Sequence, residues 1–145
     1  LKLQQNTLLA LASALEFAAQ PGRQLTASEV AAKYRASAHH LSKVLRALGR
    51  AGILEAVRGA RGGYRFAGNA KRLTLLDVIE LFEEIGAARR AGARGPRRGE
   101  GAAAAGEVEA ALAVVFAEID ELARATFGSI TLQTMLRLVE RRRRV

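Results

Sequence analysis

Between Thr26 and Phe66 the chain carries its own punctuation for two short helices and a hairpin, and that order leaves few folds open. Thr26-Ala27-Ser28-Glu29 has the form of a capping box, in which a hydroxyl and a carboxylate satisfy the free backbone donors of a helix start. The helix it opens is expected to reach about Lys33. Ser37 caps another that runs to about Ala51, where Gly52 stops it. Ile53 to Val57 is short and β-prone, Arg58 to Gly63 is glycine-rich, and Tyr64-Arg65-Phe66 alternates with its aromatics on one face, which predicts a β-hairpin. Two capped helices with a tight connection and a hairpin behind them predict a winged helix-turn-helix.

The flanks read as helices that pack on this module. Leu8, Leu11, Ala12, Leu15 and Ala18 recur at the spacing of one helical face, and Pro21-Gly22 ends the segment. Thr74-Leu75-Leu76-Asp77 is a second capping box, with Leu75, Val78, Ile79, Phe82 and Ile85 as an apolar stripe behind it. Residues 86–106 hold six glycines and five arginines with little that is large and apolar, a composition expected to form a flexible basic loop. Beyond it Val108, Leu112, Val115, Ile119, Leu122 and Thr126 alternate at spacings of four and three. That is an a/d seam, and a long helix bearing one seeks another helix, in this chain or in a second copy. Thr131 to Arg144 reads as a last helix with an arginine-rich end. The expected fold is therefore mostly α, a winged helix-turn-helix with a long C-terminal dimerisation helix. Its expected parts are a DNA-binding domain over 1–85, a basic loop over 86–106, and a dimerisation helix plus C-terminal helix over 107–145.

Composition narrows the function. The formal net charge is +9, which favours a polyanionic partner because phosphate neutralisation releases condensed counterions. None of the 145 residues is cysteine, which removes disulfides, thiolate metal sites and cysteine nucleophiles together. No leader-like start and no apolar run of spanning length is found, so a soluble cytoplasmic protein with no membrane partner is expected. Catalysis has little support. His39 and His40 are the only imidazoles, and as helix neighbours they point about 100° apart, so they do not converge on a metal. Asp77, Glu80 and Glu84 share a helix face, which reads as a solvated or arginine-paired surface rather than a cation site.

The chemistry concentrates in the helix from Ser37 to Ala51. At 100° per residue Leu41, Val44, Leu45 and Leu48 cluster on one side, while His39, Lys43, Arg46 and Arg50 fall on the other. One face packs and the other is cationic. Such a rod fits a B-DNA major groove, where Arg and Lys donate to guanine or phosphate and small residues such as Ser37 and Ser42 allow close approach. Arg58 and Arg61 stand in a glycine-rich turn suited to a phosphate backbone or a narrow minor groove. Thr26, Ser28 and Arg65 complete the candidate DNA contacts.

These stretches resemble the Rrf2 family of bacterial transcription regulators. The resemblance rests on Leu25-Thr26-Ala27-Ser28-Glu29-Val30-Ala31, on Leu41-Ser42-Lys43-Val44-Leu45-Arg46-Ala47-Leu48 and on Ala51-Gly52-Ile53-Leu54. It is most specific at Val57-Arg58-Gly59-Ala60-Arg61-Gly62-Gly63-Tyr64, followed by Leu73-Thr74-Leu75-Leu76-Asp77-Val78-Ile79. It implies a homodimer with a helix crossing to the partner, a part the seam of Val108, Leu112, Val115, Ile119 and Leu122 would fill. It also implies base contacts from Ser37, His39, His40, Ser42 and Lys43 and a minor-groove contact from Arg58. Cluster-binding members place three cysteines in the segment corresponding to 86–106. This chain has none, so no iron–sulfur cofactor is expected and any signal would come from a small molecule or a protein. The expected function is a sequence-specific regulator, a repressor in the commonest form, that binds a palindromic operator on double-stranded DNA. The alternatives are a winged helix that binds nucleic acid without sequence preference and a protein adaptor.

Overall fold

The structure is a computed structural model that describes residues 2–59, 61–85 and 100–145, the last segment as backbone alone over 100–104. Its elements are α1 (Gln5–Ala19), α2 (Ala27–Tyr34), α3 (Ala38–Arg50), β1 (Leu54–Ala56), β2 (Tyr64–Phe66), α4 (Leu75–Ile79), α5 (Glu100–Ser129) and α6 (Leu132–Arg143). They fall into two compact units. One comprises residues 1–83 with 128–145, and the other residues 84–127. The last helix, grouped from sequence with the dimerisation helix, thus belongs with the winged helix-turn-helix.

Each start signal read from the sequence is where the backbone needs it. Thr26 accepts from the Glu29 amide at 3.1 Å while Glu29 accepts from the Thr26 amide at 2.8 Å. Thr74 and Asp77 repeat the exchange at 3.2 and 2.9 Å. Ser37 and Thr131 cap α3 and α6 by accepting from the His40 and Thr134 amides, at 3.0 and 3.1 Å. Each such cap contributes about 0.5–2 kcal/mol. Between α2 and α3 the chain turns through Arg35, a non-glycine residue at φ 52° and ψ 38°.

The core of the first unit is the meeting of four helices. Phe17 of α1, Leu41, Leu45 and Leu48 of α3, Leu54 of β1, Val78 and Ile79 of α4 and Leu132 of α6 are wholly buried. Each large side chain of this kind contributes about 1.5–3 kcal/mol by leaving water. The last helix is tied in by backbone as well. The Leu75 amide donates to the Ile130 carbonyl at 2.9 Å and the Leu132 amide to the Leu73 carbonyl at 2.8 Å.

The hairpin is antiparallel, with Leu54, Glu55 and Ala56 opposite Phe66, Arg65 and Tyr64. Leu25 adds an outer bridge, exchanging amide and carbonyl with Tyr64 at 2.9 Å in both directions. The segment before α2 and the wing are therefore one hydrogen-bonded piece.

Two expectations need correction. The stripe behind Thr74 predicts a helix through Ile85, but α4 stops at Ile79. There the Leu81 and Phe82 amides bond to carbonyls only three residues back, which tightens the last turn and closes the helix. Asp77 is then a cap, not one carboxylate of a three-residue face. The basic loop expected over 86–106 is shorter, because α5 begins at Glu100. The run Ala102 to Ala105 explains this: alanine has the highest helix propensity, and four in succession outweigh the glycines beside them. Residues 86–99 lie outside the described residues.

Candidate nucleic-acid interface

The α3 helix shows the division its sequence predicts. Leu41, Val44, Leu45 and Leu48 are buried, while His39, Lys43, Arg46 and Arg50 are exposed. No acidic residue stands in α3 to neutralise them. Ser37 is also exposed, although its hydroxyl is spent as the cap. Its position puts the open N-terminal turn of α3, with the positive end of the helix dipole, at the same end as His39.

Other candidates are occupied within the chain. His40 is half-buried, and its Nε2 is hydrogen-bonded to Asn6 Oδ1 on α1. The ring therefore anchors the start of α3 to α1 rather than standing with His39. Ser42 donates its hydroxyl to the Ala38 carbonyl at 2.8 Å. Thr26 is half-buried at the α2 cap, and Ser28 beside it is exposed.

In the wing Arg58, Arg61 and Arg65 are exposed, but they are not equivalent. Arg65 pairs with Glu55 directly across the hairpin, so part of its charge is already answered. Arg58 and Arg61 line a cleft of about 450 Å³ with Gln24, Thr26, Glu29 and Gly59. The cleft joins the wing loop to the N-terminal turn of α2, and Ser28 flanks it in sequence.

Gln24 was missed from the sequence. Its side-chain amide donates to the Gly62 carbonyl and fastens the wing loop to the approach to α2. No local signal marks it, since its partner lies 38 residues away. Gly63 completes the joint. Its φ is 116°, and a Cβ there would sit 2.6 Å from the Leu25 carbonyl oxygen.

A second charged group lies on the far side of α2. The Glu16 carboxylate accepts from Lys33 and from the Tyr34 hydroxyl, both at 2.6 Å. Burial pushes the Glu16 pKa up, but those hydrogen bonds and the charges of Lys33 and Arg143 outweigh it and hold the group below its ordinary value. Burial, then the bond to Glu16, raises the Tyr34 phenol above its ordinary value.

A capped helix pair with an exposed cationic second helix, backed by a two-stranded wing with arginines at its tip, defines a winged helix-turn-helix DNA-binding protein. A family model described as "Rrf2: Iron-dependent Transcriptional regulator" matches residues 3–138, and the chain belongs to that family of DNA-binding transcription regulators, not to an enzyme family. It is 44% identical over 144 residues to the HTH-type transcriptional regulator BadM of Rhodopseudomonas palustris, covering 99% of this chain and 86% of BadM. Among solved structures it resembles CymR, the global cysteine regulator of B. subtilis, with a TM-score of 0.73 at 21% identity over 95% of this chain and 98% of CymR. It also resembles T. potens IscR, with a TM-score of 0.66 at 20% identity over 96% and 88% of the two chains. At these identities the two structures bear on fold alone.

Proposed function

We infer that this regulator binds an inverted-repeat operator as a homodimer, with α3 in the major groove and the wing tip in the adjacent minor groove. The observation that carries the reading is the exposed, acid-free row His39, Lys43, Arg46 and Arg50 on α3, whose other side is locked into the core. A row anchored so firmly presents its donors at fixed spacing, which base reading requires. Ser37 and Ser28 permit close approach of the two helix starts, and Arg58 and Arg61 supply the wing contact. Arg65, Thr26, Ser42 and His40 act by holding these elements in place.

The seam on α5 supports the dimer. Val108, Leu112, Val115, Ile119 and Leu122 are all exposed in the single chain, from 47% at Leu112 to 68% at Leu122. A row of that length, one step every three or four residues, is what two helices bury against each other. A two-fold dimer in turn selects a two-fold DNA site.

The residues do not fit an iron–sulfur cluster. The 145 residues offer no thiolate, and among the described residues no group of three or more histidine or acidic side chains is placed to hold a metal. We therefore assign the chain no cluster of its own. Among the described residues no helix is long and apolar enough to cross a membrane.

Selection of bound duplexes from a random pool tests the reading, with an inverted repeat as the expected product. On the selected site Lys43→Ala should weaken binding by about 1–3 kcal/mol and leave affinity for random duplex little changed. Equal losses on both, with a shallower salt dependence, would reduce α3 to a phosphate contact and favour the reading without sequence preference.

A further inference from the structure

A groove of about 910 Å³ runs between α1, α2 and α6, away from the cleft at the wing. Its apolar wall comes from Ala12 and Leu15 of α1 and Leu136 and Val139 of α6. All four are only half-buried, so α1 and α6 meet without closing over the space. Its polar wall holds the group formed by Glu16, Lys33 and Tyr34, with Arg143 from the end of α6.

The acids there are already engaged. Glu16 is held by Lys33 and Tyr34, and Glu29, farther along, is held by the Thr26 amide. Arg143 differs. It is close enough for its charge to act on Glu16 and Tyr34, yet among the described residues it makes no ion pair within 4.0 Å. A guanidinium has five donors in a planar fork that matches a carboxylate. A volume in the range of small-molecule pockets, with half-buried apolar walls and one cation whose donors are unspent, fits an amphipathic acid.

We propose that this groove binds a small carboxylate with an apolar tail, the tail lying along Ala12, Leu15, Leu136 and Val139 and the head paired with Arg143. A second copy of the chain is the weaker occupant, since the apolar row of α5 already offers itself to another helix and the groove's polar wall would leave charges to desolvate. The site uses Tyr34 and Val30 of α2, the first helix of the DNA-binding pair, so its occupant touches the element that the operator also touches. The binding claim does not depend on the proposed operator.

Octanoate is the probe, titrated calorimetrically into the full chain, with octylamine as the control of equal tail and opposite charge. Octanoate should bind saturably at one site per chain and octylamine should not. Arg143→Ala, at an exposed helix end, should weaken octanoate by roughly ten- to a hundredfold, the range for a hydrogen bond to a charged group. Leu136→Trp should abolish it by filling the groove, with helix content by circular dichroism reporting that the chain still folds. No saturable octanoate binding, equal affinity for octylamine, or undiminished affinity in Arg143→Ala overturns the proposal. Conversion of a dimer to monomers by Leu136→Trp would give the groove to a second copy and overturn it too. Affinity for DNA without octanoate, measured on the same variants, keeps a failure here distinct from a failure of the operator reading.

Discussion

At the scale of single residues, Glu16 shows how one carboxylate links three helices. It stands on α1, receives hydrogen bonds from Lys33 and Tyr34 on α2, and feels the charge of Arg143 on α6. Because its folded pKa lies below the ordinary 4.5, the unfolded chain takes up the proton first as pH falls. The stabilisation is therefore complete above that ordinary value and is lost as pH drops through the lower, folded value. In urea titrations from pH 7 downward, the wild type should lose stability more steeply through this acid window than Glu16→Gln does. The variant should start less stable at pH 7 and the two curves should converge in acid. Parallel curves would mean that the carboxylate's charge contributes nothing to holding α1, α2 and α6 together.

At the scale of elements, the wing is set by its joint to the segment before α2. Leu25 pairs with Tyr64, Gln24 holds Gly62, and Gly63 lets the two backbones approach. Gly63→Ala meets two obstacles together, a left-handed φ and a carbonyl oxygen inside contact distance. A loss of about 1–3 kcal/mol is expected, read as a lower thermal midpoint. Binding to DNA should also lose the contribution of Arg58 and Arg61 while that of Lys43 persists. Unchanged stability would show that the hairpin is not pinned to Leu25. The same elements show what a sequence reveals. Thr26, Ser37, Thr74 and Thr131 announced their helices because a cap acts over three residues. The two faces of α3 were legible because period alone separates Leu41 from Lys43. What acts over distance was not: the hold of His40 on Asn6, the hold of Gln24 on Gly62, and the docking of α6 on α1 leave no local trace. The early end of α4 and early start of α5 were misjudged for a related reason. An apolar stripe reports which side is buried, not where hydrogen bonding stops, and alanine runs beside glycines look like loop until propensity is weighed.

At the scale of the whole molecule, the DNA-binding unit and the unit that contains the apolar seam do different work. The first unit buries its own core around Phe17, Leu45 and Leu132, so its fold stands on contacts within residues 1–83 and 128–145. The seam has no such cover within its chain, since Val115 is half exposed and Leu112 and Ile119 nearly so. Val115→Asp places a charge at the middle of that row. In a homodimer the charge would be buried against apolar neighbours, at a cost of several kcal/mol that a solvated monomer avoids. Sedimentation should therefore show monomers where the wild type shows dimers, while circular dichroism stays close to that of the wild type. Affinity for the full inverted repeat should fall sharply and affinity for an isolated half-site should hold, because only the bridging of two half-sites is lost. A Val115→Asp chain that still sediments as the dimer would remove α5 from the interface. The regulator would then have to pair, if it pairs, through some other surface.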